Sequence, residues 1–245
     1  MTIEKQSFIS KLTKVFGDNG FSKLLSLGVS EKFLALTERM LEENEKYNLT
    51  AITDIDKIIL NHYADCAALA AILPKGARIA DVGCGAGFPT LPVAILRPDV
   101  RIFAVDSTAK RIAYVEETAR LIGLENVEAM AMRAEDGGKT PLYREKFDVV
   151  TARAVAEMRV LSELCLPYVR VGGEFIAMKG KNAEFELQGA KKAISLLGGR
   201  DVKVTEISLK GNGEVLTHPL IVIKKKEKTP QSYPRPFAQI SKKPL

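Results

Sequence analysis

The feature that most constrains the fold is a glycine turn between a short apolar strand and a helical segment. Three glycines alternate, at Gly83, Gly85 and Gly87, directly after the run Arg78-Ile-Ala-Asp-Val82, and Phe88-Pro89 then opens an apolar segment. Glycine has no Cβ atom and adopts positive φ angles without strain, so alternating glycines let a backbone bend sharply and approach a ligand. The stretch predicts a strand, a tight turn that faces a ligand, and a helix.

The rest of the chain alternates between apolar runs of strand length and patterns of helical spacing. Beyond the first strand, we predict strands at 101–105, 127–132, 147–151, 174–179, 202–209 and 219–224. Ser107 is the predicted N-cap of the helix after the second strand. Strands that alternate with helices predict an α/β fold with a seven-stranded, mostly parallel, doubly wound sheet.

Residues 1–73 are predicted to form an N-terminal helical extension. One amphipathic helix is predicted to open at Ser30, and Asp54 is predicted to cap a second helix that carries His62 on its apolar side. A histidine on an apolar face is expected to be a hydrogen-bonded core residue rather than a catalytic one.

The positive charge of the chain is concentrated at its C-terminal end. The net charge is +6, and residues 224–245 alone hold seven Lys or Arg against one Glu, which leaves 29 basic and 29 acidic residues before them. We divide the chain into residues 1–73, an α/β domain at 74–226, and a basic, proline-containing arm at 227–245 that is expected to be extended. The arm suits either a polyanion such as nucleic acid or a solubilising role, and the sequence leaves both open.

Several classes of protein are disfavoured by composition. The longest apolar run, 67–73, is far shorter than a bilayer span, and the N-terminus lacks an apolar signal core, so we expect a cytoplasmic protein without a membrane segment. Three cysteines and two histidines are scattered without ligand spacing, so neither a disulfide framework nor a metal site is expected.

The spacing of the glycines indicates which ligand the turn holds. The dinucleotide fingerprint is G-x-G-x-x-G, whereas here the third glycine comes one residue early, which disfavours NAD. The pattern D-x-G-x-G-x-G that starts at Asp81 resembles motif I of S-adenosylmethionine-dependent methyltransferases. Asp106 ends the next strand, where a carboxylate accepts hydrogen bonds from both ribose hydroxyls; its alternative role is a helix cap shared with Ser107.

Two further segments are expected beside the turn. Arg133-Ala134-Glu135-Asp136 comes after the third strand and is placed to border an adenine. Arg153 comes after the fourth strand, and the crevice of such sheets lies where the strand order reverses. Its guanidinium would contact the methionine carboxylate, a substrate phosphate or the target base; the alternative is an ion pair with Asp81 or Glu157.

The residues after the fourth strand narrow the choice of methyl acceptor. Exocyclic amines are usually handled by an Asn/Asp-Pro-Pro-aromatic motif, but this chain has Thr151-Ala-Arg-Ala154. Carbon-5 of pyrimidines requires a cysteine nucleophile, and Cys165 lies in an apolar helical pattern that predicts a core position. A ring nitrogen such as N7 of guanine has a free lone pair, so it needs no general base, and no catalytic residue is expected.

With these residues considered together, the chain resembles the bacterial 16S rRNA guanine-N7 methyltransferase G family, also called glucose-inhibited division protein B. The matching pieces run in family order over nearly the whole chain. They are Asn48-Leu-Thr50, His62-Tyr-Ala-Asp65, Asp81-Val-Gly-Cys-Gly-Ala-Gly-Phe-Pro89, Asp106-Ser107 with Lys110-Arg111, Arg133-Ala-Glu135, Thr151-Ala-Arg-Ala-Val155, Met178-Lys-Gly180 and Tyr233-Pro-Arg235. Cys66 is a departure, because the family usually has a serine there.

The resemblance implies a Rossmann-like class I methyltransferase fold with an N-terminal helical extension, and S-adenosylmethionine as cofactor. It implies methylation of one guanine in the decoding-site loop of 16S rRNA, with 16S rRNA or the small ribosomal subunit as partner. A monomer is the expectation. The expected cofactor-binding residues are Gly83, Gly85, Phe88, Asp106, Ala134, Glu135 and Arg153, and the residues expected to face RNA are Lys179 and Arg235. A nicotinamide-dependent oxidoreductase and a non-catalytic RNA-binding assembly factor are the alternatives.

Overall fold

A computed structural model describes residues 3–180 and 182–245 of the chain. In this part the strands are β1 (Arg78–Val82), β2 (Arg101–Asp106), β3 (Val127–Ala131), β4 (Phe147–Arg153), β5 (Val169–Met178), β6 (Gly199–Gly211) and β7 (Glu214–Lys225). The α-helices are α1 (Lys5–Asp18), α2 (Leu27–Tyr47), α3 (Ile55–Ile58), α4 (Asp65–Ile72), α5 (Thr90–Leu96), α6 (Ala109–Leu121), α7 (Ala134–Gly137), α8 (Met158–Cys165), α9 (Ala183–Leu196) and α10 (Phe237–Lys242). A π-helical stretch, Ile59–Ala64, joins α3 to α4.

The strands form one sheet in the order β3-β2-β1-β4-β5-β7-β6. Strands β1 to β5 are parallel to one another, whereas β7 runs antiparallel between β5 and β6. The prediction of a seven-stranded, mostly parallel α/β sheet is therefore confirmed. The strand order reverses between β1 and β4, so a crevice opens at the carboxyl ends of these two strands, which is where such sheets bind ligands.

Successive side chains of the central strands point to opposite faces of the sheet, and each face has its own apolar core. Ile79 belongs to the core shared with α1, α2, α4, α5 and α6, and its neighbour Ala80 belongs to the core shared with α8, α9 and α10. Because the N-terminal helices share a continuous core with one face of the sheet, they form one layer of the fold. Within the described residues, no helix is long and apolar enough to cross a membrane.

The first residues of three helices can be compared with the predicted N-caps. Asp54 caps α3 as predicted, since its Oδ1 accepts a hydrogen bond from the backbone N–H of Lys57 at 3.0 Å. Helix α2 begins four residues earlier than predicted, with Ser26 rather than Ser30 as its N-cap. The prediction of a Ser107 cap is wrong: α6 begins at Ala109, and Asp106 Oδ1 accepts from the N–H of Thr108 at 2.8 Å.

The last two strands are longer than their apolar patterns indicate. Strands β6 and β7 form a hairpin of 13 and 12 residues, and many of the residues of β6 are exposed polar ones. Side chains of an edge hairpin are only partly buried, so the hydrophobic pattern marks the buried half alone.

The segment after β7 packs onto the domain, so the expectation of an extended arm is wrong here. We call residues 227–245 the C-terminal segment. The Arg144 guanidinium donates hydrogen bonds to the carbonyls of Thr229, Pro230 and Tyr233, and the segment ends in α10, where Ile240 is fully buried. These contacts come from distant residues, which local proline and charge content cannot indicate.

A buried lysine helps to hold the start of this segment. Lys225 is fully buried, and its Nζ donates to the carbonyl of Leu166 and to Thr229 Oγ1. Burial lowers the pKa of Lys225 to about 8, although Glu145, 3.6 Å away, acts in the opposite direction.

Because this pKa is lowered, we predict that Lys225 makes the free energy of unfolding increase as the pH rises above 8. The unfolded chain, in which the lysine has its ordinary pKa near 10.5, then binds a proton that the folded chain does not. The free energy of unfolding of the wild type, measured by denaturant titration, should gain up to about 1.4 kcal/mol per pH unit relative to Lys225→Met between pH 8 and 9.5. Lys224→Met, at an exposed position of the same strand, is the control. A difference between wild type and Lys225→Met that stays constant with pH would contradict the assignment.

Candidate functional site

The glycine turn after β1 has the backbone conformation that its sequence predicts. Gly83, Gly85 and Gly87 have φ angles of 78°, 54° and 84°, a region that disfavours residues with a Cβ atom. The N–H groups of Gly83 and Cys84 both donate to the carbonyl of Val105, at 2.7 and 3.1 Å. The turn is therefore hydrogen-bonded to the end of β2 as well as continuing from β1.

The three glycines differ in what a side chain would meet. A Cβ atom would lie 2.7 Å from Val155 Cγ2 at Gly83 and 2.6 Å from Leu91 Cδ1 at Gly87, so a side chain at either position would force its neighbour to shift. At Gly85 a Cβ atom would project into open space, with a single atom at 4.0 Å, the carbonyl oxygen of Gly83. Gly85 thus leaves room for a ligand to approach the backbone.

The turn forms one wall of a cleft of about 530 Å³ at the carboxyl ends of β1, β2 and β4, which we call the glycine-turn cleft. Its volume is in the range of small-molecule sites. Every residue that the sequence analysis expects to bind cofactor lines it: Gly83, Gly85, Phe88, Asp106, Ala134, Glu135 and Arg153. The structure thus brings together segments that are up to 70 residues apart, and their role in binding remains a prediction.

Asp106 lies at the end of β2 and is held by the backbone around it. Its Oδ2 accepts from the N–H of Gly85 at 3.0 Å, and its Oδ1 accepts from Thr108 N–H. Arg111 Nη1 lies 3.6 Å from Oδ2. Each carboxylate oxygen can accept two hydrogen bonds, so Asp106 retains the capacity to accept from a ribose diol.

Arg153 contacts the N-terminal helices, and its acidic partner is neither Asp81 nor Glu157, the two alternatives considered from the sequence. Its Nη2 donates to the carbonyl of Asn61, at 3.0 Å, and Nη1 lies 3.6 Å from Asp65 Oδ2. Asp65 Oδ1 is in turn 2.6 Å from His218 Nε2 on β7. Sequence reasoning missed Asp65 and His218, although His62 and Asp65, three residues apart on a helix, share a face.

His62 is hydrogen-bonded as predicted, but it also lines the glycine-turn cleft, which the sequence analysis did not anticipate. Its ring stacks on Phe88 with centroids 4.5 Å apart, and Nδ1 lies 3.0 Å from Arg153 Nη2. Burial, reinforced by Arg153, lowers the pKa of His62 to about 4. The ring is therefore neutral near pH 7, so its Nδ1 accepts from the guanidinium and its Nε2–H faces Thr50 Oγ1.

Ala134 and Glu135 open the short helix α7 beside the cleft. The Ala134 carbonyl accepts from the Tyr168 hydroxyl at 2.7 Å, and Glu135 is only 6% exposed. The N–H groups of Asp136 and Gly137 donate to the carbonyl of Arg133, so those of Ala134 and Glu135, the first two residues of α7, are the ones suited to a polar ligand edge.

The two residues expected to face RNA are engaged with acidic partners inside the protein. Lys179 Nζ lies 2.6 Å from Glu186 Oε2 and donates to the carbonyl of Ala156. Arg235 donates from Nε and Nη2 to both carboxylate oxygens of Glu163, which is fully buried. Their roles toward RNA stay predictions. Lys179 also borders a second cavity, of about 310 Å³, which shares Arg153 and Ala154 with the glycine-turn cleft.

The cysteines are core residues. Cys66, Cys84 and Cys165 are free and buried, and burial raises the pKa of each thiol. The prediction that Cys165 is a core residue is confirmed. Cys66, at the family's usual serine position, packs with its Sγ 4.0 Å from Arg153 Nη1.

The residues of the cleft suit a nucleoside. Asp106 has acceptors for a ribose, Gly85 leaves a backbone surface open, and the apolar side chain of Leu164 can contact a flat base, whereas Phe88 stacks on His62. S-Adenosylmethionine has these parts, so the residues present fit it.

Solved structures share this fold. A SAM-dependent O-methyltransferase of Thermotoga maritima aligns with a TM-score of 0.52 and 17% identity, over 78% of this chain and 72% of that one. The protein TYW2 of M. jannaschii, solved in complex with AdoMet, aligns with a TM-score of 0.53 and 16% identity, over 67% of this chain and 75% of that one. At such identities the likeness shows the fold alone.

Sequence relatives are much closer. The family model for GidB, rRNA small subunit methyltransferase G, matches residues 29–215. Ribosomal RNA small subunit methyltransferase G of Clostridium perfringens is 45% identical over 217 residues, which cover 88% of this chain and 90% of that protein. The protein of the same name from Lactobacillus delbrueckii is 46% identical, over 88% of this chain and 91% of that protein. The one from Clostridium beijerinckii is 43% identical, over 97% of this chain and 99% of that protein. This chain therefore belongs to the rRNA small subunit methyltransferase G family.

Proposed function

We propose that this protein transfers the methyl group of S-adenosylmethionine to N7 of one guanine in the decoding-site loop of 16S ribosomal RNA. The observation that carries the proposal is the glycine-turn cleft, where all the expected cofactor-binding residues meet in a chain of this family. The name of the relatives supports a ribosomal RNA substrate.

In this proposal the carboxylate of Asp106 accepts from the ribose hydroxyls, the first turn of α7 borders the adenine, and Gly85 leaves space for the methionine part. The bound cofactor supplies a methyl group on a positively charged sulfonium. Holding the acceptor in line with that methyl group is the main task of the protein, and such alignment can lower a barrier by about 7–11 kcal/mol. Arg153 lies where the glycine-turn cleft meets the second cavity, so it is placed to contact either the cofactor or the acceptor.

The chemistry of the nearby side chains favours a ring nitrogen as acceptor. A pyrimidine carbon would require a thiolate, but the three thiols are buried and have raised pKa values. The neutral His62 is committed to Arg153 and Thr50. The lone pair of guanine N7 would form the new N–C bond while the S–C bond breaks and sulfur becomes a neutral thioether; the positive charge would pass to the base and no proton would be lost, so no base catalyst is needed.

The partner in this proposal is 16S rRNA or the small ribosomal subunit, in the cytoplasm, and a monomer suffices because one chain forms the whole cleft. Five lysines near the C-terminal end are exposed and can contact phosphates. They are Lys224, Lys226, Lys228, Lys242 and Lys243. Lys179 and Arg235 are proposed to contribute at the rim of the site.

Cofactor binding should be lost when the cleft is altered. We expect Asp106→Ala, which removes the ribose acceptor, and Gly85→Val, which fills the open space, each to weaken S-adenosylhomocysteine binding at least tenfold in calorimetry. Asp18→Ala, at an exposed position of α1, is the control. Wild-type affinity in both cleft variants would mean that the cofactor binds elsewhere, and binding of NADH instead would favour an oxidoreductase.

The reaction itself is tested by nucleoside mass spectrometry of 16S rRNA. Cells without the gene should lack one 7-methylguanosine, and the wild-type gene but not the Asp106→Ala gene should restore it. An unchanged amount of 7-methylguanosine in the deletion strain would exclude the enzymatic function and favour a non-catalytic assembly factor.

The exposed lysines of the C-terminal segment should contribute to the salt dependence of RNA binding. The double variant Lys242→Gln, Lys243→Gln should reduce the slope of log K against log salt by about 0.7–0.9 for each lost phosphate contact. Lys14→Gln on α1 serves as control. If the slope of the double variant equals that of the wild type, these lysines are only solvated.

A further inference from the structure

Phe237 lines the glycine-turn cleft, although it belongs to the C-terminal segment and no cofactor motif includes it. It is the first residue of α10 and is 40% exposed, and Leu164 of α8 and Met132 after β3 line the same cleft. A large apolar side chain left partly exposed in a cleft becomes buried when a ligand enters, which favours binding. Its position therefore points to contact with whatever occupies the cleft.

The backbone that carries Phe237 is firmly anchored. Ile240, one turn further along α10, is fully buried in the core of that sheet face. Two residues before Phe237, the Arg235 guanidinium binds the buried carboxylate of Glu163 with hydrogen bonds of 2.9 and 2.6 Å, and the backbone N–H of Arg235 donates to the same carboxylate. The ring is thus presented to the cleft by a fixed element rather than by a loose tail.

The neighbours of this element indicate which end of the cleft Phe237 faces. Glu163 and Leu164 are adjacent on α8, and Pro234 lies so near Gly138 that a Cβ atom on that glycine would be 3.1 Å from Pro234 Cγ. Gly138 comes directly after α7, whose first residues are expected to border the adenine. The segment therefore lies against the end of the cleft that α7 forms, which is the end expected to hold the adenine.

We propose that Phe237 contacts the adenine ring of the bound cofactor and that the C-terminal segment is a wall of the cofactor site, positioned by the Arg235–Glu163 ion pair. The inference rests on the proposed function, since it assumes an adenosine-containing cofactor. It gives Arg235 a role as a positioning residue that does not depend on RNA. In this proposal the exposed lysines of the C-terminal segment belong to the same segment that contacts the cofactor.

The test measures binding of S-adenosylhomocysteine, and of adenosine alone, to the full-length protein without RNA. Contact between a base and an aromatic ring corresponds to about a 5- to 150-fold change in affinity on substitution by alanine. Phe237→Ala should weaken both ligands at least fivefold, whereas Phe237→Tyr should stay within twofold of the wild type. Phe185→Ala, which removes a phenylalanine that is 85% exposed and outside the cleft, should change neither affinity.

A separate measurement tests whether Arg235 positions Phe237. Arg235→Ala should weaken adenosine binding in the absence of RNA, and Arg235→Lys, which keeps one charged hydrogen bond to Glu163, should restore part of it. An Arg235 that served only to bind RNA would leave the affinity for adenosine unchanged in both variants.

The outcomes separate this inference from the proposed function. Wild-type affinity of Phe237→Ala for both ligands, together with loss of binding in Asp106→Ala, would overturn the role of Phe237 and leave the proposed function intact. If Phe237→Ala lost S-adenosylhomocysteine binding but kept wild-type affinity for adenosine, Phe237 would lie at the methionine end, which would contradict the adenine contact. Failure of the wild type itself to bind either ligand would contradict the proposed function.

Discussion

The site depends on a set of backbone hydrogen bonds that join the ends of β1 and β2. The carbonyl of Val105 accepts from Gly83 and Cys84, and one residue later the carboxylate of Asp106 accepts from Gly85. The turn and the acidic residue thus hold each other in place, before any ligand binds. A turn of this kind favours glycines, because all three φ angles are positive and a Cβ atom at two of the positions would displace a neighbouring side chain. The open position at Gly85 is what remains for a ligand.

A second network connects the site to the N-terminal helices. Arg153 at the end of β4 binds His62 and Asn61 and lies near Asp65, which in turn contacts His218 of β7. The π-helical stretch and α4 therefore both contact the Arg153 guanidinium at the edge of the cleft, and β7 is connected to it through Asp65. Because burial keeps His62 neutral, the ring can accept from Arg153 without charge repulsion. The helical segments before β1 therefore contact the edge of the cleft directly.

Much of the fold and of the candidate site could be predicted from sequence, because the signals are local. Three signals depend only on residues close in sequence: the apolar run before Asp81, the alternating glycines and the acidic residue at 106. Some of the predictions that failed depended on adjacent residues and others on distant contacts. Ser107 lost its predicted capping role since Asp106 accepts the N–H of Thr108, and Arg153 pairs with an aspartate 88 residues earlier. The C-terminal segment has the composition of an extended basic arm, yet Arg144, Glu163 and Lys225 hold it on the domain and bring Phe237 to the cleft.

The most direct test of the account is an experimental structure of the protein with S-adenosylhomocysteine bound. The account predicts the ligand in the glycine-turn cleft, with its ribose hydroxyls within hydrogen-bonding distance of the Asp106 carboxylate. The adenine should lie between the first turn of α7 and the ring of Phe237, and the amino-acid part should lie over Gly85. A ligand bound outside this cleft, or bound in it with the ribose away from Asp106, would contradict the central claim.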